Sequence, residues 1–239
     1  MIRYLLFDLD GTLLPVEPDF FYHYFAALRP NFSDLVQPEE FDRHLWGSTM
    51  KMMADTDPSL TNEEVFWRDF SARTGRPRAE LEPVFRQFYE TQFPALQRHI
   101  GAELPGPARG LLEKALAAGF TPVLATNAIF PEAAIRARLT WINCQDLPFA
   151  YITTLENMHF CKPNPGYFQE ILGILQVSPD ECLMIGNDPE EDLAAAFLGI
   201  KTCLVTDYLV PREKQAHPPY YSCRLTELPA LLAGLAPAG

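Results

Sequence analysis

The chain has 239 residues, of which 48% are hydrophobic and 21% are charged. This length suits one enzyme-sized domain or a core with a smaller insert, and the composition argues against a largely disordered or fibrous chain. Thirty-one acidic residues against 19 lysines and arginines give a formal net charge of -12. That is the wrong sign for a surface that follows nucleic acid or anionic lipid. We therefore expect a soluble folded protein with neither nucleic acid nor membrane as a partner.

Cysteine usage and the first residues of the chain bear on its compartment. There are five cysteines, an odd number with no CxxC pair, and no histidine spacing indicates a zinc site. The first residues are apolar only from Tyr4 to Phe7, which is too short for the core of a signal peptide. These features predict a cytoplasmic protein with reduced cysteines. We expect either a monomer or a homodimer, and the sequence does not distinguish the two.

Four short apolar runs are each followed by polar residues or glycine, as in strands buried on both faces of a parallel sheet. They cover Tyr4 to Phe7, Pro122 to Ala125, Leu183 to Ile185 and Thr202 to Val205. Helical patterns lie between the runs, over Gly106 to Ala118 and Asp192 to Leu198. This alternation predicts an α/β fold with a doubly wound parallel-sheet, Rossmann-like core.

Residues 15–96 interrupt the alternation, because they contain no convincing strand and several helical patterns in succession. The patterns cover Phe20 to Leu28, Glu39 to Met53, Thr61 to Gly75 and Pro77 to Phe93. The third begins with a capping-box match, and the aromatic residues of the first are expected to pack in a helical core. We predict an inserted all-helical cap domain over residues 15–96, with the catalytic core formed by residues 1–14 and 97–239.

Two carboxylates follow the first predicted strand, in the segment Asp8-Leu9-Asp10-Gly11-Thr12. Ligand sites in open α/β sheets lie at the carboxyl ends of strands, and residues two apart on a strand point to the same side. Two acids that face one point repel unless a cation or a shared proton intervenes. An Asp-Gly turn is common by itself, but the pair of acids at this position indicates a cation-dependent site.

Further polar residues follow the second strand and precede a later helix. Thr126 and Asn127 come directly after the second apolar run, and their side chains can donate to the oxygens of an anion. Lys162 lies in Cys161-Lys162-Pro163-Asn164-Pro165, where the prolines are expected to delay a helix until Gly166. A cation fixed in this way can hold a phosphoryl group.

Acidic residues follow the third strand, in Gly186-Asn187-Asp188-Pro189-Glu190-Glu191-Asp192. Acids in the first turn of a helix are favourable because of the helix dipole, which is the structural explanation of this segment. The functional explanation is a site for a hard cation built from carboxylate oxygens.

In this order, the four segments resemble the haloacid dehalogenase-like hydrolase superfamily, in its branch of aspartate-nucleophile phosphatases with a helical cap. They span Asp8 to Asp192, and Asp8-Leu9-Asp10-Gly11-Thr12 is the most specific match. The last segment departs from the family pattern, which has Gly-Asp where this chain has Gly186-Asn187. Asp188 and Asp192 are both candidates for the third metal ligand, and we favour Asp188.

The resemblance implies a role for each matched residue. Asp8 attacks phosphorus and forms an aspartyl-phosphate, while Asp10 protonates the leaving oxygen and later takes a proton from water. Thr126, the backbone at Asn127, and Lys162 hold the phosphoryl oxygens.

The implied cofactor is Mg²⁺, and the implied substrate is a small phosphorylated metabolite. The metal ligands would be the Asp8 carboxylate, the Asp10 backbone carbonyl and Asp188, while Asp192 supports the site or orients Lys162. In the family's dehalogenases the position that matches Asp10 is not an aspartate, because carbon–halogen cleavage needs no acid for the leaving group. Asp10 therefore favours phosphoryl transfer.

Three other functions stay open. A sugar phosphomutase would use the same core residues under a cap that excludes water, and a binding module would keep the fold without the chemistry. A cysteine hydrolase would use Cys161 with His159 as base, although no third orienting group is evident. The sequence does not identify the natural substrate.

Overall fold

A computed structural model of the chain describes residues 1–16, 19–100, 104 and 106–235. Five strands of this part form one sheet in the order β2-β1-β3-β4-β5, and every neighbouring pair is parallel. The strands are β1 (Tyr4–Phe7), β2 (Thr121–Leu124), β3 (Cys182–Gly186), β4 (Lys201–Val205) and β5 (Tyr221–Cys223). The predicted α/β fold with a doubly wound parallel sheet is confirmed.

The described residues form eight α-helices, of which four follow β1 in the insert and four lie in the rest of the chain. They are α1 (Phe20–Leu28), α2 (Pro38–Met53), α3 (Asn62–Thr74), α4 (Arg78–Thr91), α5 (Ala108–Ala117), α6 (Glu132–Trp141), α7 (Pro165–Leu175) and α8 (Leu228–Ala233). Four 3-10 helices cover Arg29–Phe32, Phe93–His99, Pro179–Glu181 and Leu193–Leu198. In the described ranges, no helix combines the length and the apolar character that crossing a membrane requires.

Burial explains why the apolar runs form the inner strands. Every residue of β3 is buried, as are three of the four residues of both β1 and β2. Strands with apolar side chains on both faces fit a sheet that is covered by helices on each side. The short β5 was not predicted, because its three residues are exposed or only half-buried and carry no apolar run.

Helices α1 to α4, which we call the helical insert, follow β1. The capping box predicted for α3 is present: the Thr61 side chain accepts the Glu64 backbone N–H, and the Glu64 carboxylate accepts the Thr61 backbone N–H at 2.8 Å. Aromatic residues fill the interior of the insert, as expected for α1, where Phe20 and Tyr24 are buried. The Tyr24 hydroxyl lies 2.7 Å from that of Tyr89 on α4. The exact limits of a cap domain at residues 15 and 96 stay a prediction.

Most predicted helix boundaries are within two residues of the observed ones, and two of the differences have a clear physical reason. Helix α7 begins at Pro165 instead of Gly166 or later, because proline is tolerated in the first helical turn and the Asn164 side chain caps that turn. The predicted helix from Asp192 to Leu198 is a 3-10 helix that begins one residue later. Its backbone bonds join residues three apart, and the carboxylate of Asp192 is held by contacts outside the helix.

Candidate active site

The sheet order brings three of the motifs to one edge. Strand β1 lies between β2 and β3, with Phe7 in register with Leu124 on one side and Ile185 on the other. All three strands run parallel, so the segments that follow them leave the sheet at the same edge. Asp8 therefore emerges between the segment of Thr126 and the segment of Asp188.

Lys162 joins two of the predicted site residues in a buried cluster. Its Nζ donates to Asp8 Oδ1 at 2.9 Å and to Asp192 Oδ1 at 2.6 Å, and its side chain is only 1% exposed. Burial lowers the pKa of Lys162, but the carboxylates of Asp192 and Asp8 outweigh burial and hold this pKa well above its ordinary value. Lys162 is therefore a permanent cation next to Asp8.

Asp8 is more strongly affected by burial than by its cation. Burial raises the pKa of Asp8 to about 8, while Lys162 opposes the shift and Asp192 adds to it. The second oxygen of Asp8 accepts a long hydrogen bond of 3.4 Å from the Thr12 hydroxyl, which also donates to Asn187 Oδ1 at 3.0 Å. The turn that brings Thr12 here needs Gly11, whose φ is +82° and where a Cβ would lie 2.1 Å from the Asn187 side chain.

Asp10 binds a different cation from Asp8. Its Oδ2 accepts a hydrogen bond from Nη1 of Arg138, a fully buried side chain on α6. Its other oxygen, Oδ1, is buried and has no hydrogen-bond partner among the residues that the structure describes. Asp8 and Asp10 therefore have different charged partners, Lys162 for Asp8 and Arg138 for Asp10.

Thr126 and Asn127 both lie at the site, but their side chains are used differently. The Thr126 carbonyl accepts hydrogen bonds from Thr153 Oγ1 and the Tyr167 hydroxyl, each at 2.7 Å. Its hydroxyl makes no hydrogen bond within the described part of the chain, so it is available as a donor. The Asn127 side chain instead holds the Lys162 segment: its Oδ1 accepts the Lys162 backbone N–H at 3.1 Å.

Both candidates for the third metal ligand lie at the site. Each oxygen of Asp188 accepts a hydrogen bond from Nε of Arg212 at 3.0 Å, and Asp188 Oδ1 also accepts the Glu190 backbone N–H at 2.9 Å. Asp192 instead binds Lys162, and its Oδ2 accepts the Asp188 backbone N–H at 2.9 Å. This arrangement is consistent with Asp188 as a ligand and with Asp192 as the residue that orients Lys162.

The site carries more negative than positive charge. Burial, followed by the charge of Asp188, raises the pKa of Glu191 to about 7 against the opposing effect of Lys162. Salt bridges at the site involve six carboxylates and three cations: Asp8, Asp10, Asp188, Glu190, Glu191 and Asp192 pair with Lys162, Arg138 and Arg212. With every one of these groups ionised, the formal charge is three negative units.

A divalent cation would offset part of this charge, and carboxylate oxygens are the donors that Mg²⁺ prefers. Within the described ranges, no group of three or more His, Cys, Asp or Glu side chains is already arranged around a common metal position. The residues fit Mg²⁺ in charge and donor chemistry, with the Asp188 carboxylate engaged by Arg212 in the present arrangement.

The cysteine and histidine of the alternative hydrolase are not brought together. The His159 ring pairs with Glu170 through Nδ1 at 2.7 Å, whereas the Cys161 thiol is buried and contacts Asn62 Nδ2 at 3.4 Å. Burial also raises the pKa of Cys161 far above its ordinary value, so the nucleophilic thiolate is disfavoured. The predicted alternative of a Cys161–His159 pair is therefore wrong.

One residue of the helical insert reaches the core segments of the site. Asn62, at the start of α3, is fully buried, and its Nδ2 donates to the carbonyls of Ala128 at 3.2 Å and Phe160 at 3.3 Å. These carbonyls lie one residue after Asn127 and two residues before Lys162. The insert is thus hydrogen-bonded directly to both segments.

Sequence reasoning missed Arg138, Arg212 and Asn62 as residues of the site, and it included Glu191 only as one acid of the segment after β3. The first has a recognisable signal, because it lies four residues after Ala134 and three after Ile135 on the buried face of α6. Arg212 lies in an irregular segment, and Asn62 matched a helix start, so neither carried a pattern that indicated its partner.

Comparison with known sequences relates the chain to one family and to phosphatases. A sequence model of haloacid dehalogenase-like hydrolases matches residues 2–197. Pyrophosphatase PpaX of Anoxybacillus flavithermus is 24% identical over 97% of this chain and 97% of its own length. Phosphoglycolate phosphatase of Vibrio vulnificus is 26% identical over 83% of this chain and 81% of its own length.

Solved structures share the whole architecture. A 2-haloacid dehalogenase from Pseudomonas syringae has a TM-score of 0.65 at 24% identity, covering 99% of this chain and 100% of its own, which shows the fold. The HAD-hydrolase YfnB from Bacillus subtilis, crystallised with magnesium, has a TM-score of 0.59 at 26% identity and covers 97% of this chain and 99% of its own. Because the family model spans most of the sequence and its fold is shared throughout, the chain belongs to the haloacid dehalogenase-like hydrolases.

Proposed function

We propose that the protein is a magnesium-dependent phosphatase that hydrolyses a small phosphorylated metabolite through an aspartyl-phosphate on Asp8. The observation that carries the proposal is the buried bridge of Lys162 between Asp8 and Asp192, at the carboxyl end of β1. A carboxylate nucleophile with a fixed cation beside it suits attack on an anionic phosphoryl group. The relatives named pyrophosphatase and phosphoglycolate phosphatase support a phosphorylated substrate.

Asp8 performs the first step. Lys162 occupies Asp8 Oδ1, and Oδ2 has only the long contact with Thr12, so Oδ2 is the oxygen that attacks phosphorus. The new bond joins Asp8 to phosphorus while the bond from phosphorus to the leaving oxygen breaks. In this proposal, Lys162 and the Thr126 hydroxyl hold phosphoryl oxygens as their charge redistributes.

Asp10 performs the proton transfers. It gives a proton to the leaving oxygen in the first step, and in the second it takes a proton from the water that attacks the aspartyl-phosphate. This sequence returns Asp8 and Asp10 to their starting states and releases phosphate.

Mg²⁺ would be held by the Asp8 carboxylate, the Asp10 backbone carbonyl and the Asp188 carboxylate. When bound, it supplies positive charge that offsets the repulsion between the carboxylate nucleophile and the phosphoryl group. For Asp188 to take part, Arg212 must release at least one of the two oxygens that it contacts.

The test is phosphate release from sugar phosphates, nucleotides, pyrophosphate and phosphoglycolate, with and without Mg²⁺. Wild type is compared with Asp8→Asn and with a control, Asp180→Asn, which changes an exposed aspartate just before β3, at the opposite edge of the sheet. We expect turnover that needs both Mg²⁺ and Asp8 and that the control retains.

The other outcomes separate the alternatives. Activity that survives Asp8→Asn would contradict the aspartyl-phosphate mechanism. Conversion of a sugar phosphate to its isomer without phosphate release would identify a phosphomutase, and the absence of turnover across the panel would favour a binding module.

A further inference from the structure

Arg138 is buried completely, and its contacts connect Asp10 with two aromatic rings. Its Nη1 donates to Asp10 Oδ2, and its Nε donates to the Ala134 carbonyl at 3.3 Å. The guanidinium carbon lies 4.0 Å from the ring centre of Phe130 and 5.7 Å from that of Phe93. The aromatic rings restrict the movement of the guanidinium, and the guanidinium in turn fixes the orientation of the Asp10 carboxylate.

Stability does not explain an arginine at this position. A buried ion pair is often no more stabilising than well-packed apolar side chains of similar volume. In the described part of the chain, Arg138 Nη2 and Asp10 Oδ1 are also buried without hydrogen-bond partners, and each such atom carries a desolvation penalty. Buried polar atoms without hydrogen-bond partners break the usual rule for protein interiors, and such exceptions occur mainly at functional sites.

We propose that Arg138 is a positioning residue that orients Asp10 for proton transfer, an inference that rests on the function proposed above. Arg138 holds Asp10 Oδ2, which leaves Oδ1 to exchange the proton with the leaving oxygen. As that proton moves and the bond from phosphorus to the leaving oxygen breaks, negative charge develops on the Asp10 carboxylate. Arg138 stabilises this charge as it forms, and the following attack by water returns a proton to Asp10.

The dependence of the rate on the leaving group tests this role. An alkyl phosphate needs an acid to protonate its leaving oxygen, whereas p-nitrophenyl phosphate has a leaving group that departs readily as an anion. The constant kcat/KM covers the steps through departure of the leaving group, so the later attack by water does not affect the comparison. Wild type, Arg138→Met and Asp10→Asn are each assayed with both substrates.

We expect Asp10→Asn to lower kcat/KM much more for the alkyl phosphate than for p-nitrophenyl phosphate. Arg138→Met should follow the same pattern, with a loss about tenfold greater for the alkyl phosphate, which is a part of the roughly 10²–10⁴-fold that general acid catalysis contributes. Arg138→Lys, which keeps the charge, should recover part of that difference. Equal losses on both substrates, or no loss on either, would overturn the positioning role and leave the proposed function intact.

The control is Arg136→Met. It removes an exposed arginine of the same helix, whose partner is Glu132, and it should leave kcat/KM unchanged for both substrates. Thermal unfolding checks each variant, and Arg138→Gln takes the place of Arg138→Met should the latter fail to fold. The NMR signal of the Arg138 Nε–H should move in Asp10→Asn, and an unchanged signal would overturn the contact itself. A wild type without Asp8-dependent turnover would overturn the proposed function and, with it, the role of Arg138.

Discussion

Lys162 Nζ and Asp192 Oδ1 lie 2.6 Å apart, and Asp192 in turn lies against the backbone of Gly186. A Cβ atom at Gly186 would be 2.0 Å from Asp192 Oδ2, far closer than atoms can approach. The last residue of β3 is therefore a glycine because the carboxylate that orients Lys162 passes directly over it.

Gly186→Ala should displace Asp192 from both Lys162 and the Asp188 backbone N–H. Because Lys162 then loses one of its two carboxylate partners beside Asp8, we expect kcat to fall by about a hundredfold, a typical cost of misplacing a catalytic group. The measurement is kcat with the best phosphorylated substrate of the panel. Full activity would contradict the proposed dependence of Lys162 on Asp192.

Gly173→Ala is the matched control for this substitution. Gly173 lies within α7, and a Cβ there would meet no atom within 4 Å. Alanine in a helix interior is favoured over glycine by about 1 kcal/mol, so this variant should unfold at a higher temperature and keep its activity.

Stability should depend on pH through Asp8. The folded chain holds a proton on Asp8 up to a pKa of about 8, whereas the unfolded chain releases it near the ordinary value of 3.8. Stability is therefore fully present below the ordinary value and is lost as the pH rises through about 8. Without metal, we expect the Tm of wild type to fall over this range more than that of Asp8→Asn, which cannot titrate.

Mg²⁺ should reverse this loss, because a divalent cation offsets the charge of the Asp8 carboxylate. Differential scanning fluorimetry with and without Mg²⁺ measures the effect, which should be largest in alkaline buffer and small in Asp8→Asn. Parallel pH curves for wild type and Asp8→Asn would contradict the assignment of the proton to Asp8.

Arg212 should compete with Mg²⁺ for Asp188. The guanidinium contacts both oxygens of that carboxylate and also Glu191 Oε1 at 3.2 Å. Removing it in Arg212→Met should raise the affinity for Mg²⁺ by about tenfold, since about 1.4 kcal/mol of competition is lost. Isothermal titration calorimetry without substrate measures this, and Arg224→Met removes an exposed arginine as a control. Unchanged or weaker binding would show that Arg212 does not occupy the metal ligand.

Sequence patterns predicted the strands and the gathering of their ends, because both depend on local features. Apolar runs marked four of the five strands, and parallel strands place their carboxyl ends at one edge whatever their order. The residues Asp8, Thr126 and Asp188 could therefore be placed together before the strand order was known. The order itself depends on which strands pair across the chain, and no local pattern contains that information.

Contacts between distant residues account for what was missed. Asp10 and Arg138 are 128 positions apart, and an arginine on a helix is ordinarily exposed, as Arg136 on the same helix is. Arg138 differs from Arg136 in the sequence only because it lies four residues after Ala134, on the same buried face of the helix. In the same way, Asn62 follows Thr61 in a capping box, which explains its place on a helix but not its contact with the core.

Asn62→Ala should weaken the attachment of the helical insert to the core. The variant removes a buried hydrogen bond to the Ala128 carbonyl and a partly buried one to the Phe160 carbonyl, and the loss of buried partners costs about 1–3 kcal/mol. We expect faster proteolysis within α1 to α4. We also expect a larger effect on KM than on kcat, because the two carbonyls lie close to Asn127 and Lys162, the residues proposed to bind phosphate. Asn31→Ala, which breaks contacts wholly inside the insert, is the control. An unchanged KM would contradict this link.

Cys161 should be dispensable for catalysis and slow to react. Burial raises the pKa of its thiol far above the ordinary value, so the thiol stays protonated at neutral pH, and the thiolate that alkylating reagents attack is scarce. We expect iodoacetamide to leave Cys161 unmodified in the folded protein while it modifies the more exposed Cys223. Peptide mass spectrometry after alkylation measures both sites.

Cys161→Ala should keep kcat, because the thiol accepts a hydrogen bond from Asn62 while the His159 ring is paired with Glu170. A large loss of kcat in a folded Cys161→Ala variant would contradict the assignment of the nucleophile to Asp8.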